Sequence, residues 1–426
     1  MFRELMLEEI SRMISGRTLN ARQELVRGVS INSLSTKPGE LFFALRGERT
    51  DGHRYVEDAL QRGAVAAVVE KTQSTSNEIL VPDTLFALGE LARNYRSRFA
   101  VTTIGITGTN GKTTVRNLVS AILGMRSKVL CTQKNYNSLI GLPLTVLRLS
   151  GIEDYLVVEM GTNAPGEIKR LCEIAQPNIG MITNVGPGHL EGLDSVNGIM
   201  KEKLSLIESL PADGVALVGE GVNVSGRDTI LEFSVHMLQA LQITEHGSYF
   251  TYRNNDFFTN LLGMGNAYNC LAAIVLTSAL GIDYEMQRDA IAEVEPEPGR
   301  MEPIRIRDLL VINDTYNANP VSMRAAIDFC ARLKRRKILV LGDMLELGKE
   351  TEHLHRDIGV YARQHADLLV TFGHESCLYD GKHFTDENAL LAYVGEHLNG
   401  DEVVLFKASR GLRFERLVTG LARLLR

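Results

Sequence analysis

An apolar run, Thr102-Thr103-Ile104-Gly105-Ile106-Thr107, leads straight into Gly108-Thr109-Asn110-Gly111-Lys112-Thr113-Thr114. That junction restricts the architecture more than any other stretch of the chain. A strand that ends in a glycine-containing turn and restarts as a helix is the opening unit of a parallel α/β sheet. Glycine lets backbone N–H groups converge on an anion with no Cβ in the way. The following helix N-terminus adds partial positive charge. Lys112 is placed to reach β- and γ-phosphates, and the Thr113 hydroxyl to reach Mg²⁺. Gly105 to Gly111 is one residue longer than the strict G-x-x-x-x-G-K-[ST] spacing, so the working unit is Gly108-x-x-Gly111-Lys112-Thr113. A chance glycine turn before a core helix is the bland alternative. Strand, glycines and Lys-Thr pair together favour nucleotide binding, with Gly108 to Thr114 as contacts.

Along the 426 residues three regions separate. Residues 1–81 hold short strands and a helix (LFFAL at 41–45, VAAVVE at 65–70) and end near Pro82-Asp83. Residues 82–294 begin with a helix near Leu85–Arg98 and carry the phosphate loop, then YLVVEM at 155–160 and IGMITNV at 179–185. The breaker-rich stretch Glu295–Pro303 (EPEPGRMEP) opens residues 295–426. There the strands at 309–314, 337–343, 368–373 and 403–409 alternate with helices expected from Val321, Thr351, Asp386 and Leu412. Apolar strands spaced by amphipathic helices predict an α/β chain of three domains. These are a small α/β domain, a central ATPase-type domain with a mainly parallel sheet, and a Rossmann-like C-terminal domain. Cys270–Leu280 is the longest apolar run and, interrupted by Thr277 and Ser278, is expected as a buried helix rather than a membrane span.

A net charge of −6 with both signs interspersed argues against a nucleic-acid surface. Cys131, Cys172, Cys270, Cys330 and Cys377 show no metal-ligand spacing and are expected as reduced thiols. The N-terminal stretch MFRELMLEEISRM has no apolar signal core. A cytoplasmic monomer acting on small molecules is expected.

A bound triphosphate calls for Mg²⁺, which wants hard oxygen ligands. Glu159 ends its strand, where α/β proteins bind ligands, and Asn184 and His189 follow the next. Alone, Glu159 would serve equally as a helix cap or ion-pair partner, and His189 as a structural histidine. Their placement after two apolar strands points to metal binding. Lys201 and Lys203 lie two apart on an expected helix, hence on different faces, with Lys201 read as solvated.

The combination resembles the Mur ligase family. Thr107–Thr113 matches its T-G-T-x-G-K-T loop, and Val157–Ile168 and Thr183–Lys203 resemble its metal-binding segments. The resemblance implies an ATP-dependent amide ligase with two Mg²⁺ sites, Lys203 being the helix lysine carbamylated by CO₂ into an extra metal ligand beside Thr113, Glu159 and His189. The segments YNANP (316–320), LGDMLELG (341–348) with His355, and KASRGLRFE (407–415) resemble the branch that adds D-alanyl-D-alanine to a UDP-linked muramoyl tripeptide. By the same resemblance Lys112, Glu159, His189 and Lys203 carry catalysis. Asn266 and Asn269 contact adenine, Arg300 the γ-phosphate region and Asp314 the ribose. Ser33, Asn137, Tyr316, Asn317 and Asn319 contact substrate. Lys407 and Arg410 hold the dipeptide carboxylate, unless they form an ordinary strand-end basic patch. The chain departs from the family's Asp-Ser-Arg at Asn32-Ser33-Leu34, and has Gly265 where a histidine is usual. A different acceptor or amine, or a non-catalytic nucleotide-binding module, are the competing readings.

Overall fold

The computed structural model describes every residue except 1, 20–23, 48–49, 73–76, 189, 228 and 426. Among the described residues its architecture follows from three large sheets of five or six strands, and the order of strands in the middle one decides where chemistry can occur. That sheet runs Ile230–Phe233, Val215–Gly219, Ile179–Ile182, Thr102–Thr107, Tyr155–Glu159, Val129–Cys131, with every neighbouring pair parallel. The strand feeding the phosphate loop is therefore flanked by the strand ending in Glu159 and the strand leading to Thr183-Asn184. The chain leaves it first towards one edge and later towards the other, which opens a crevice at the strands' carboxyl ends. An antiparallel three-stranded sheet, Gln239–Thr244, Gly247–Tyr252 and Asn255–Thr259, follows.

The first sheet holds Arg17–Leu19, Glu78–Leu80, Ala66–Val69, Glu40–Phe43 and Gly28–Ser30 in that order, antiparallel only at its first pair. The last holds Glu302–Ile306, Leu309–Asp314, Val403–Lys407, Lys337–Gly342, Leu368–Phe372 and Lys382–Phe384, again with one antiparallel edge pair. Strand Leu309–Asp314 is buried at every position, as a strand covered on both faces must be. The long apolar helix runs Met264–Ala279, six residues earlier than its most apolar stretch, so Asn266 and Asn269 ride on its first turns. The helix expected from Leu412 starts instead at Glu415: Arg413 takes φ +52°, which breaks any continuous helix. No helix among the described residues is long and apolar enough to cross a membrane. All five cysteines are free, and burial pushes the Cys172 and Cys270 thiols up to about 12.

The helix Thr84–Arg96 joins the first region to the second. Asp83 caps it by accepting from Phe86 N at 2.8 Å. Its last residue, Arg96, is 6% exposed and staples four segments together. The guanidinium donates to Thr103 Oγ1 (3.0 Å) and to the carbonyls of Phe99 (2.9 Å), Val101 (2.8 Å) and Ala175 (3.2 Å). Immediately before it, the buried Tyr95 hydroxyl donates to Leu149 O and accepts from Arg3 N. Arg96→Ala strands three carbonyls in a dry seam and is expected to cost about 3 kcal/mol. Thermal unfolding should then fall by several degrees, whereas Arg93→Ala, at a half-exposed side chain, should leave the midpoint nearly unchanged.

Candidate active site

The phosphate loop is held open by its neighbours before any ligand arrives. Gly111 sits at φ +83° as the residue before the helix Lys112–Gly124, and a Cβ there would lie 2.3 Å from Asn269 Oδ1. A Cβ on Gly108 would lie 1.9 Å from Thr183 Oγ1. The two residues after the third central strand pin the loop. Asn184 Oδ1 accepts from Asn110 N and Asn184 O from Thr109 N, both at 3.0 Å, and Thr183 Oγ1 donates to Asn110 O at 2.6 Å. Lys112 curls back over the loop, donating to Gly108 O at 2.8 Å and Thr109 O at 3.3 Å. Although part of its side chain still meets solvent, crowding by protein lowers its pKa; Glu159 opposes the shift and the Arg300 charge adds to it.

Glu159 is 3% exposed and fully engaged. Oε2 accepts from Thr113 Oγ1 at 2.8 Å and lies 3.6 Å from the buried Arg116 guanidinium, while Oε1 accepts from Asn137 Nδ2 at 2.8 Å. Asn137, expected to touch substrate, is thus turned onto the carboxylate. Arg300 crosses from the seam to donate to Thr113 Oγ1 at 2.9 Å, its guanidinium 3.8 Å from the centre of the Tyr316 ring. Asn319 caps the helix Pro320–Arg332, and its Nδ2 reaches Asn110 Oδ1 at 2.8 Å. The third domain therefore already touches the phosphate loop.

The two lysines of the helix Val196–Glu208 part company as helical geometry requires. Lys201 is exposed, whereas Lys203 is 2% exposed and has no hydrogen bond or ion pair among the described residues. Burial, reinforced by the Lys112 charge, holds its pKa well below the usual lysine range. Adjacent Glu202 offers little relief, because its carboxylate accepts from Gly166 N and Ile168 N at 2.7 Å.

Lys407 and Asp314, expected to meet the dipeptide and the ribose separately, form one buried ion pair. Lys407 is 1% exposed, and it also donates to Asn317 O at 3.1 Å. That geometry anchors the 314–319 loop and leaves the lysine no free face. Arg410 is exposed, 5.7 Å from the Tyr316 ring, and remains open to a ligand. Asn269 lies beneath Gly111, donating to Asn266 Oδ1 at 3.1 Å, so it supports the loop, while Asn266 is the more accessible of the two. His355, wholly buried, accepts from Met344 N and packs on Tyr379, an internal strut. Ser33 is buried in the first domain. His189 lies outside the described residues. Arg116 and Glu297 went unnoticed in the sequence. The signal for Arg116 was its position four after Lys112, on the same helix face; for Glu297 there was none.

The residues suit a hard divalent cation: a threonine hydroxyl and a carboxylate 2.8 Å apart at the end of a phosphate loop. No cluster of three or more His, Cys, Asp or Glu side chains occurs among the described residues.

Family models match three stretches: "Mur ligase family, catalytic domain" at 25–96, "Mur ligase middle domain" at 106–277 and "Mur ligase, glutamate ligase domain" at 299–410. The chain belongs to the Mur ligase family. The UDP-N-acetylmuramoyl-tripeptide–D-alanyl-D-alanine ligase of Bacillus subtilis is 35% identical, over 97% of this Mur ligase and 98% of its own length. Its Escherichia coli counterpart is 31% identical over 97% and 98%. The crystal structure of MurF from Acinetobacter baumannii superposes with a TM-score of 0.92, at 26% identity and 99% coverage of both chains. MurF ligase from Thermotoga maritima in complex with ADP gives 0.87, at 28% identity over 94% and 98%.

Gly111→Ala in this Mur ligase should weaken ADP binding by at least tenfold in calorimetric titration, since positive φ and the Asn269 contact both resist a Cβ. An unchanged affinity would mean that the loop has room the structure does not show.

Proposed function

We propose that this chain joins D-alanyl-D-alanine to UDP-N-acetylmuramoyl-tripeptide at the expense of ATP, releasing ADP and phosphate, in the cytoplasmic synthesis of peptidoglycan precursor. The observation that carries the reading is full-length identity to ligases of that name, joined to a loop, carboxylate and seam arginine that converge on one crevice. A carboxylate resists attack by an amine. Attack of the tripeptide carboxylate oxygen on the γ-phosphorus, with ADP leaving, gives an acyl phosphate. The dipeptide nitrogen then attacks the carbonyl carbon and loses a proton as phosphate departs. Lys112 and Arg300 neutralise charge on the transferring group. Asn266 faces the adenine, Asn269 steadies the loop, and the Lys407–Asp314 pair holds Tyr316, Asn317 and Asn319 in place. Arg410, exposed and paired at its edge with Glu415 at 3.6 Å, is the cation for the dipeptide carboxylate. Contact between the third domain and the loop keeps water from the acyl phosphate.

Mg²⁺ would be held by Thr113, Glu159, His189 and a modified Lys203, and when bound supplies Lewis acidity at the phosphate oxygens. Burial without a partner favours the neutral amine of Lys203. That amine adds to CO₂ and gives up one proton, becoming a carbamate anion where a second cation needs one.

Phosphate release should require both the UDP-linked tripeptide and the dipeptide; release indifferent to either would sink the reading. Lys203→Ala should lose turnover and regain part of it with short carboxylic acids, while Lys201→Ala should behave like the parent. The reverse pattern would displace the carbamate from this position.

The first domain bears on acceptor affinity. Leu34 is 71% exposed, and Asn32 Oδ1 is spent accepting from Leu34 N at 3.1 Å. Arg46, a candidate substitute for the family's arginine, is committed to Glu70 at 3.0 Å. Leu34→Arg restores a forked donor and should lower KM for the UDP-linked tripeptide by roughly ten- to hundredfold. An unchanged KM would show that other residues hold the nucleotide.

A further inference from the structure

We propose that Glu297 is a positioning residue for Arg300, docking the seam between the second and third domains onto the phosphate-loop helix through Asn117 and Arg116; the proposal rests on the ligase reading. Glu297 lies in a proline-flanked connector, Pro296-Glu297-Pro298, where an acidic side chain would ordinarily point into water. Instead Oε1 accepts from Asn117 Nδ2 at 2.7 Å and lies 3.4 Å from Arg116 NH2. Its main-chain oxygen accepts from Arg300 N at 3.0 Å, closing the turn that carries Arg300. Inside that turn Gly299 takes φ +75°, and its carbonyl accepts from Tyr316 N at 2.9 Å.

The contacts close into a ring. Arg116 lies between Glu297 and Glu159; Glu159 accepts from Thr113; Thr113 accepts from Arg300; Arg300 is three residues from Glu297 in the same turn. Asn117 and Arg116 follow Lys112 and Thr113 by one helical turn, so the helix that forms the phosphate loop also fixes the turn that brings in the seam arginine. Without the Glu297 side chain the turn keeps its backbone bond but loses its tether to that helix, and the Arg300 guanidinium is no longer held at Thr113. The Thr113 hydroxyl has one proton and gives it to Glu159, so Arg300 occupies a lone pair. A cation held at that oxygen would compete with the guanidinium, and Glu297 would keep the released Arg300 within reach of the incoming phosphate.

The test is a double-mutant cycle of Glu297→Ala and Arg300→Ala in the full chain, with Glu297→Gln as the conservative variant. Two readouts are taken: kcat for ligation, and the ratio of affinities for a non-hydrolysable ATP analogue and ADP, both with Mg²⁺. Glu297→Ala should lower kcat roughly ten- to hundredfold and bring the affinity ratio towards one, with ADP affinity within about twofold of the parent. Glu297→Gln, which keeps the acceptor for Asn117, should recover most of both. In the Arg300→Ala background Glu297→Ala should cost less than about twofold. Multiplying effects, a parental kcat and affinity ratio in Glu297→Ala, or a glutamine variant as poor as alanine would each overturn the proposal. If the parent releases no phosphate with tripeptide and dipeptide, the ligase reading fails, and the affinity cycle alone decides the role of Glu297.

Discussion

Everything at the crevice depends on one carboxylate held out of water with both of its oxygens engaged. Glu159 is buried, and a lone buried carboxylate would cost several kcal/mol or take up a proton. Thr113 and Asn137 donate to its two oxygens, and the buried Arg116 guanidinium lies 3.6 Å away as its ion-pair partner. Those partners come from the loop helix and from the 132–140 connection, and they meet only because the Tyr155–Glu159 strand lies between the Thr102–Thr107 and Val129–Cys131 strands. Strand order, loop geometry and the partners of Glu159 are therefore one constraint seen at three scales.

Around that carboxylate the chain gathers cations: Lys112, Arg116, Arg300 and, deeper, Lys203. Glu202, the nearest other acid to Lys203, is spent on backbone N–H groups. Glu297 answers Arg116 only from the seam. The site thus carries an excess of buried positive charge, which is unfavourable until a polyanion enters. Desolvation lowers the pKa of both Lys112 and Lys203, with the Arg300 charge adding to the shift at Lys112 and the Lys112 charge adding to it at Lys203. A triphosphate would relieve Lys112, and the carbamate proposed at Lys203 would replace a disfavoured cation with an anion.

The sequence carried the sheet type, the phosphate loop and the family because these depend on short-range patterns: strand into glycine turn, Lys-Thr at the helix start, alternation of apolar strands and helices. Lys203 against Lys201 was legible as well, because two residues on a helix differ by roughly 200° of rotation. What stayed hidden was pairing across distance. Lys407 and Asp314 lie 93 positions apart and become partners only because their strands, Val403–Lys407 and Leu309–Asp314, run side by side with those two residues in register. Asn137 turning onto Glu159 and Asn269 settling beneath Gly111 are likewise results of packing, and nothing in an asparagine's sequence neighbours says which carbonyl or carboxylate it will find. Arg413 ended a helical pattern through its backbone angle, which side-chain periodicity does not encode.

Two groups connect the third domain to the loop, and they differ in kind. The Asn319–Asn110 amide contact is neutral and exchanges readily with water. The Arg300 contact to Thr113 is charged and ends on an oxygen that a cation also wants. A cation held at Thr113 would compete with the arginine for that oxygen and free it for a phosphate, whereas the amide contact has no such competitor. In the proposed ligation the amide contact would keep the domain seated while the arginine changes partner, holding water away from the acyl phosphate.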